Sequence, residues 1–329
     1  MVTTTPSLGF ASQPGWMPVR AFQRRGQTWL DWAWCVNADF TAPFFVDGLE
    51  RAMRQPMNQA ARPQTALTAL DAAETEPYAE TARVVIHHVT RCGSTAISRA
   101  YAQMANVAAV SEAGVLDDYL HWVRNSVHDE AQTAPRLRQL TSLLLRRGPA
   151  PCRFGIIKLD AWQLLDAATW SRAFPDALHV VAVRDPLEVA VSHVRQPGWS
   201  TVPGAIAHLH PSHSVEEQCG WGREGYIART LAVYFSAAEA QIKAGAMAID
   251  YRDLHAAVCD RIPRAARMSL DDTDRAALQA SLSVHSKSPS QLFISDWADK
   301  RAKIAPTLQR EVETHVAPIW RRIQAMLAG

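Results

Sequence analysis

Five short runs of apolar and β-branched residues, separated by segments of helix length, restrict the fold of this chain more than any other feature. They occupy 83–89, 107–110, 154–159, 178–183 and 246–250. Each is apolar throughout rather than at alternate positions, which is the pattern of parallel strands buried on both faces. Helix-length connections between such strands predict an α/β fold in which a parallel sheet is flanked by helices. Residues 1–82 have a different texture. They begin with Trp16, Trp29, Trp32 and Trp34, carry the pair Phe44–Phe45 and a predicted helix near 47–54, and end in a stretch rich in Pro, Gln and Ala. That segment reads as a cover packed on a main domain of 83–329. Helices are expected at 223–243, 270–282 and 300–327, the last broken near Pro306 and Pro318, and the stretch 196–222, rich in Pro, Gly, His and Ser, reads as a lid or substrate loop.

Charge and composition exclude several partners. With 34 Lys+Arg against 32 Asp+Glu the formal charge is +2, too small a field to gather nucleic acid or an anionic membrane surface. No stretch reaches the ~20 apolar residues of a membrane span, and the first residues lack a secretory pattern, so a soluble cytoplasmic protein is expected. The cysteines Cys35, Cys92, Cys152, Cys219 and Cys259 are odd in number and scattered. Reduced thiols follow, without a disulfide framework or a cysteine-built metal site.

The strongest local signal begins at the first run. Val84–Val85–Ile86–His87–His88–Val89 feeds Thr90–Arg91–Cys92–Gly93–Ser94–Thr95, and a helical pattern follows from Ala96. A strand, a small-residue loop and a helix N-terminus aim backbone N–H groups and a positive dipole end at one point, which suits phosphate or sulfate. The nucleoside-triphosphate version of such a loop needs Gly where His88 stands and Lys where Ser94 stands. The plain alternative is a turn and helix cap that bind nothing. A second candidate grip follows the fourth run. Asp185, Pro186 and Glu188 make a capped helix start, while Arg184 at the strand tip and Ser192 two turns on offer a forked cation and a hydroxyl to a second anion. Taken singly, Arg184 reads first as a partner for Asp185 or a neighbouring carboxylate, and Ser192 as a small polar residue on a helix. His208, His210 and His213 lack an acidic partner that would favour a metal, and His87 or His88 must face the sheet interior.

Together these residues resemble the P-loop sulfotransferases that use 3′-phosphoadenosine 5′-phosphosulfate. Residues 90–95 look like the family's 5′-phosphosulfate loop in a variant with arginine at the usual basic position, and Arg184 with Ser192 look like its 3′-phosphate pair. Ser111–Glu112 and the run Ile249–Asp250–Tyr251–Arg252–Asp253–Leu254 fall where the family carries similar patterns. Three departures stand out: Cys92 replaces the commoner serine, Arg252 stands where an acid is usual, and the Gly-rich C-terminal cofactor loop has no copy beyond His285–Ser286–Lys287–Ser288–Pro289. The resemblance implies a sulfotransferase of P-loop type. Its nucleotide would be held by Arg91, Cys92, Gly93, Ser94, Thr95, Ala96, Arg184, Ser192 and Lys287, and its acceptor would be a small molecule, saccharide or peptide.

For the chemistry, the resemblance points to Lys158, Glu112 and Asp160. The chain has 5 lysines against 29 arginines, and Lys158 ends an apolar strand. It either faces the bridging oxygen of a phosphosulfate or snorkels to water or pairs with Asp160. Glu112 is the first candidate base and Asp160 its rival. Two other readings stay open: a P-loop kinase or other phosphotransferase in which Lys158 replaces the missing loop lysine, and a non-catalytic nucleotide-binding protein.

Overall fold

The computed structural model describes residues 15–36, 38–71, 82–126, 130–146, 152–285, 288–292 and 304–328. Its centre is a five-stranded sheet of β4 (Ala82–His88), β5 (Val107–Ser111), β6 (Phe154–Lys158), β7 (Leu178–Val183) and β8 (Met247–Asp250), in the order β5-β6-β4-β7-β8. Every neighbouring pair is parallel. The sequence expectation of a parallel sheet flanked by helices is met, with strand limits within a residue or two of those read from the apolar runs.

Both faces of the sheet are covered, and alternation along each strand divides them. Val84 and Ile86 belong to one apolar cluster, together with α3 (Ser94–Ala102), α9 (Gly222–Lys243) and the C-terminal helices Pro306–His315 and Ala317–Ala328. Val85, Ala108, Val110 and Ile157 belong to a second, with α4 (Gly114–Asn125), α5 (Glu130–Leu145) and α6 (Ala167–Ala173). Side chains that alternate across a strand account for the partition. The C-terminal helices begin at Pro306 and divide at Val316, beside the second expected proline break.

The N-terminal stretch is more regular than its composition suggests. β1 (Trp16–Arg24) and β2 (Gln27–Trp34) form an antiparallel hairpin, and β3 (Gln64–Ala66) pairs with β2. Arg25 and Gly26 both take positive φ, 53° and 78°, at the turn, which is the backbone a tight hairpin with right-handed strand twist requires. Between β2 and β3 come α1 (Phe45–Ala52) and α2 (Pro56–Ala60). Trp16, Leu30, Trp32 and Phe45 join the apolar cluster that holds Val85 and Val110, so the hairpin and α1 pack over one face of the main sheet.

The stretch from Gln196 to Gly222 is an ordered run of short helical pieces, Trp199–Thr201, Ala207–Leu209 and α8 (Val215–Gly220). It is pinned by buried Ser200, Leu209 and His210, while Trp199 stays 75% exposed.

Candidate functional site

The C-terminal ends of the parallel strands gather the chemistry, at the edge where ligands of open α/β sheets bind. After β4 the chain turns through Thr90 and Arg91, which adopt φ of 65° and 47°, and Gly93 at 86°. A β-branched residue in the left-handed region is a strained position, worth of order 1–3 kcal/mol. His88 helps to hold it there. Its Nε2–H donates to the Leu159 carbonyl at 2.8 Å, and its Nδ1 accepts the Thr90 N–H at 3.1 Å. One proton on the ring satisfies both contacts.

Gly93 is required twice over. Its φ is left-handed, and a Cβ there would meet the Tyr251 ring at 2.7 Å. It serves as N-cap of α3, whose first N–H groups precede the intrahelical bonds. The Ala96 N–H is already committed to the Gly93 carbonyl at 2.8 Å, so Ala96 contributes less to the grip than the loop pattern suggests. Cys92 turns inward. Its thiol donates to the Ala182 carbonyl at 3.1 Å, and burial pushes its pKa up to about 11. Cys92 is therefore a strut between the loop and β7, and only its backbone can face an anion. Ser94 and Thr95 are buried at the start of α3. The Arg91 guanidinium reaches across to Gln196, donating to its carbonyl at 2.9 Å, and burial lowers its pKa against an opposing pull from Glu112.

β7 ends next to this loop because it pairs with β4, His88 lying opposite Ala182. α7 (Pro186–Arg195) starts there with Asp185 as cap, its carboxylate accepting from Leu187 N–H at 2.9 Å and Glu188 N–H at 3.2 Å. Arg184 stands at the junction. It donates through Nε at 2.7 Å and through Nη2 to Glu188 Oε2, and its Nη1 reaches the Arg91 carbonyl at 3.5 Å. Its guanidinium lies 4.0 Å from the centroid of the Tyr251 ring. Tyr251 thus fills the space between Gly93 and Arg184. Ser192 lies one turn beyond Glu188 on α7, so Glu188 and Ser192 share a helix face.

The proton-handling candidates converge beyond the ends of β5 and β6. Glu112 takes φ 55°, and its N–H donates to the Lys158 carbonyl at 2.8 Å. That bond aligns the two side chains, and the Lys158 ammonium donates to Glu112 Oε1. Lys158 is 1% exposed, so the sequence alternatives of a snorkelling lysine or a pair with Asp160 give way to a pair with Glu112. The Phe44 ring from the N-terminal stretch lies 5.2 Å from the same ammonium. Asp160 is buried beside the pair, and its pKa is driven well above the usual carboxylate range, first by desolvation and then by the nearby Glu112 and Asp117 carboxylates. Asp117 accepts from Trp162 Nε1–H at 2.7 Å. Of the five described non-glycine residues with positive φ, Thr90, Arg91 and Glu112 lie in this site.

Other sequence candidates fall elsewhere. His210 bonds Thr230 at 3.0 Å and packs edge-on against Trp221 and Tyr226. Among the described residues no group of His, Cys, Asp or Glu could hold a metal, and no helix is long and apolar enough to cross a membrane. Arg252 pairs with Asp250 at the end of β8. Lys287 lies outside the described residues. The sequence reading did not single out Tyr251, Phe44 or Gln196 as site partners, since each reaches the site only through the fold, while its alternative for Arg184, a neighbouring carboxylate, is met by Glu188.

No protein-family model matches the chain, and no curated protein matches it. Solved structures similar at low identity include two sulfotransferases. A sulfotransferase from Alicyclobacillus acidocaldarius is 15% identical, with 75% of this chain and 96% of that chain covered and a TM-score of 0.42. The sulfotransferase STF1 from Mycobacterium tuberculosis H37Rv is 13% identical, with 67% of this chain and 79% of that chain covered and a TM-score of 0.36.

Proposed function

We propose that the protein is a sulfotransferase of P-loop type, moving a sulfuryl group from 3′-phosphoadenosine 5′-phosphosulfate to a hydroxyl or amine acceptor. The observation that carries this reading is the Arg184–loop contact. A guanidinium from the end of β7 reaches the backbone of the strained loop after β4, so the two candidate anion grips are neighbours, and the pair of buried Lys158 with half-buried Glu112 closes the neighbouring strand ends. The residues fit a nucleotide anionic at two places. The loop N–H groups and α3 dipole suit one end, and Arg184 with Ser192 suits a phosphate ester at the other. When bound, the nucleotide supplies an activated sulfuryl group, whose charge is low enough for fixed N–H donors and cations to stabilise without a metal.

The chain's own groups divide the remaining work. Loop residues 91–95 orient the transferring group. Lys158, fixed by burial, would supply the cation for charge that develops on the leaving oxygen. Glu112 takes the acceptor's proton at its carboxylate. Asp160, its pKa pushed up by burial and by the neighbouring Glu112 and Asp117 carboxylates, is the rival to Glu112 as base. Phe44 shields the pair from the N-terminal side.

Thermal shift tests the assignment. Adenosine 3′,5′-bisphosphate at 100 times its dissociation constant should stabilise the protein by ~2.7 kcal/mol, roughly 4 °C in Tm for a chain of this length. Protection by ATP with magnesium, and none by the bisphosphate, would replace the reading with a phosphotransferase. Bisphosphate release from the phosphosulfate, followed over a panel of hydroxyl and amine acceptors, then reports turnover.

A further inference from the structure

The Arg184 grip already has an occupant of its own. Asp185 caps α7, Pro186 is its first residue and Glu188 its third, so the Glu188 carboxylate stands directly above the Arg184 guanidinium. Nε and Nη2 both donate to Glu188 Oε2, Nη1 turns to the Arg91 carbonyl, and one face lies against Tyr251. Each nitrogen of the fork has a protein acceptor, and a ring covers one face. The two side chains are 25% and 20% exposed, which leaves the pair within reach of an exchanging ligand. Arg91, by contrast, is met by the neutral Gln196.

We infer that Glu188 is an internal counter-ligand, a carboxylate that holds Arg184 between turnovers, must be displaced by the 3′-phosphate of the nucleotide, and retakes the guanidinium as that nucleotide leaves. The inference rests on the proposed function and deepens it. A phosphate dianion can outcompete one carboxylate for a guanidinium, whereas a ribose hydroxyl cannot. Once displaced, Glu188 stays tethered to the first turn of α7, beside the bound phosphate, and like charge at that distance speeds departure. The nucleotide keeps its 3′-phosphate before and after transfer, so Glu188 weakens substrate and product alike. Its value lies in release of the product. Glu188 touches Arg184 rather than the reacting atoms and is a positioning residue.

The test compares wild type, Glu188→Gln and Arg184→Ala/Glu188→Gln, as full chains, binding adenosine 3′,5′-bisphosphate and 5′-AMP by calorimetry and stopped flow. Glutamine keeps the side-chain length and its favourable place at the helix start, and equal Tm values confirm the fold. The expected result is bisphosphate binding about 3- to 10-fold tighter in Glu188→Gln, through slower release, with 5′-AMP changed less than about twofold. The gain should vanish when Arg184 is also removed. Unchanged or weaker bisphosphate binding, an equal change for both nucleotides, or a gain that survives without Arg184 would overturn the inference alone. Bisphosphate binding by none of the three proteins would overturn the proposed function with it.

Discussion

At the ends of β4 and β7 the cations keep contact with water and exchangeable partners. Arg184 leans on Glu188 and Tyr251, and Arg91 on Gln196. At the ends of β5 and β6, Lys158 is sealed from solvent, paired with Glu112 and set beside the buried Asp160. Under the proposed function the contrast separates two demands on charge. A group that must bind and release a ligand sits where one partner can replace another at small cost. A group that must act on a transferring atom is buried, where its charge is strong and its position fixed. Burial without a partner would be prohibitive, which is why Lys158 and Glu112 come as a pair, aligned by the bond from the Glu112 N–H to the Lys158 carbonyl.

The contrast breaks if both carboxylates beside Lys158 matter equally. Glu112→Gln should lower turnover by ~10²–10⁴ with cosubstrate affinity preserved, whereas Asp160→Asn should change it less than about tenfold. Steady-state rates together with nucleotide binding distinguish the two. An unchanged rate in Glu112→Gln with a large loss in Asp160→Asn would move the base to Asp160. It would also mean that the acid ionises against the burial that raises its pKa.

A smaller effect sharpens the other side. Arg184→Ala should weaken adenosine 3′,5′-bisphosphate by a charge-assisted contact, ~1.5–3 kcal/mol or roughly 10- to 150-fold. Affinity for 5′-AMP should stay within about twofold. Calorimetry on both ligands reads the difference, and equal loss on both would remove Arg184 from the 3′-phosphate.

The two regions were unequally legible. Strands such as Leu178–Val183 are continuous apolar runs whose limits coincide with the observed strand, because a parallel strand covered on both faces has no polar side to blur the pattern. The hairpin from Trp16 to Trp34 was hidden, since Arg20, Arg24 and Asp31 break the apolar pattern and its turn is Arg25–Gly26 rather than an asparagine–glycine pair. In the site, the loop from Thr90 to Thr95 was visible through its small residues, and Asp185 through its capping pattern. Tyr251 and Phe44 were not read as site partners. They reach Arg184 and Lys158 from a distant strand end and the N-terminal stretch, and sequence spacing does not encode such approaches, whereas Glu188, four residues on from Arg184, is the neighbouring carboxylate that the sequence did offer. The Lys158–Glu112 pair joins residues 46 apart in the chain, so the sequence supplied both charges but not their pairing.

The smallest effect concerns the floor beneath the two grips, where burial takes a different form again. His87 points away from the loop that His88 supports. Its Nε2–H donates to His179 Nδ1 at 3.1 Å, and His179 Nε2–H donates to the Phe174 carbonyl at 3.0 Å. Desolvation, aided by the neighbouring His179 and His88, lowers the His87 pKa to about 3. The unfolded chain therefore takes up this proton near pH 6.5 while the folded chain refuses it until about pH 3. Below pH 6.5 the unfolded state binds more protons, so stability is present above that value and falls with pH, by about 1.4 kcal/mol per unit from this group. Between pH 6.5 and 5 the expected loss is roughly 2 kcal/mol, measured as a fall in the urea midpoint. His87→Gln should flatten that slope, since an uncharged amide at the same place takes up no proton on unfolding. If the wild-type midpoint held steady to pH 5, the β4–β7 floor would have to tolerate a charged imidazole. The grips would then stand on a more polar foundation than the hydrogen-bonded pair of neutral rings described above.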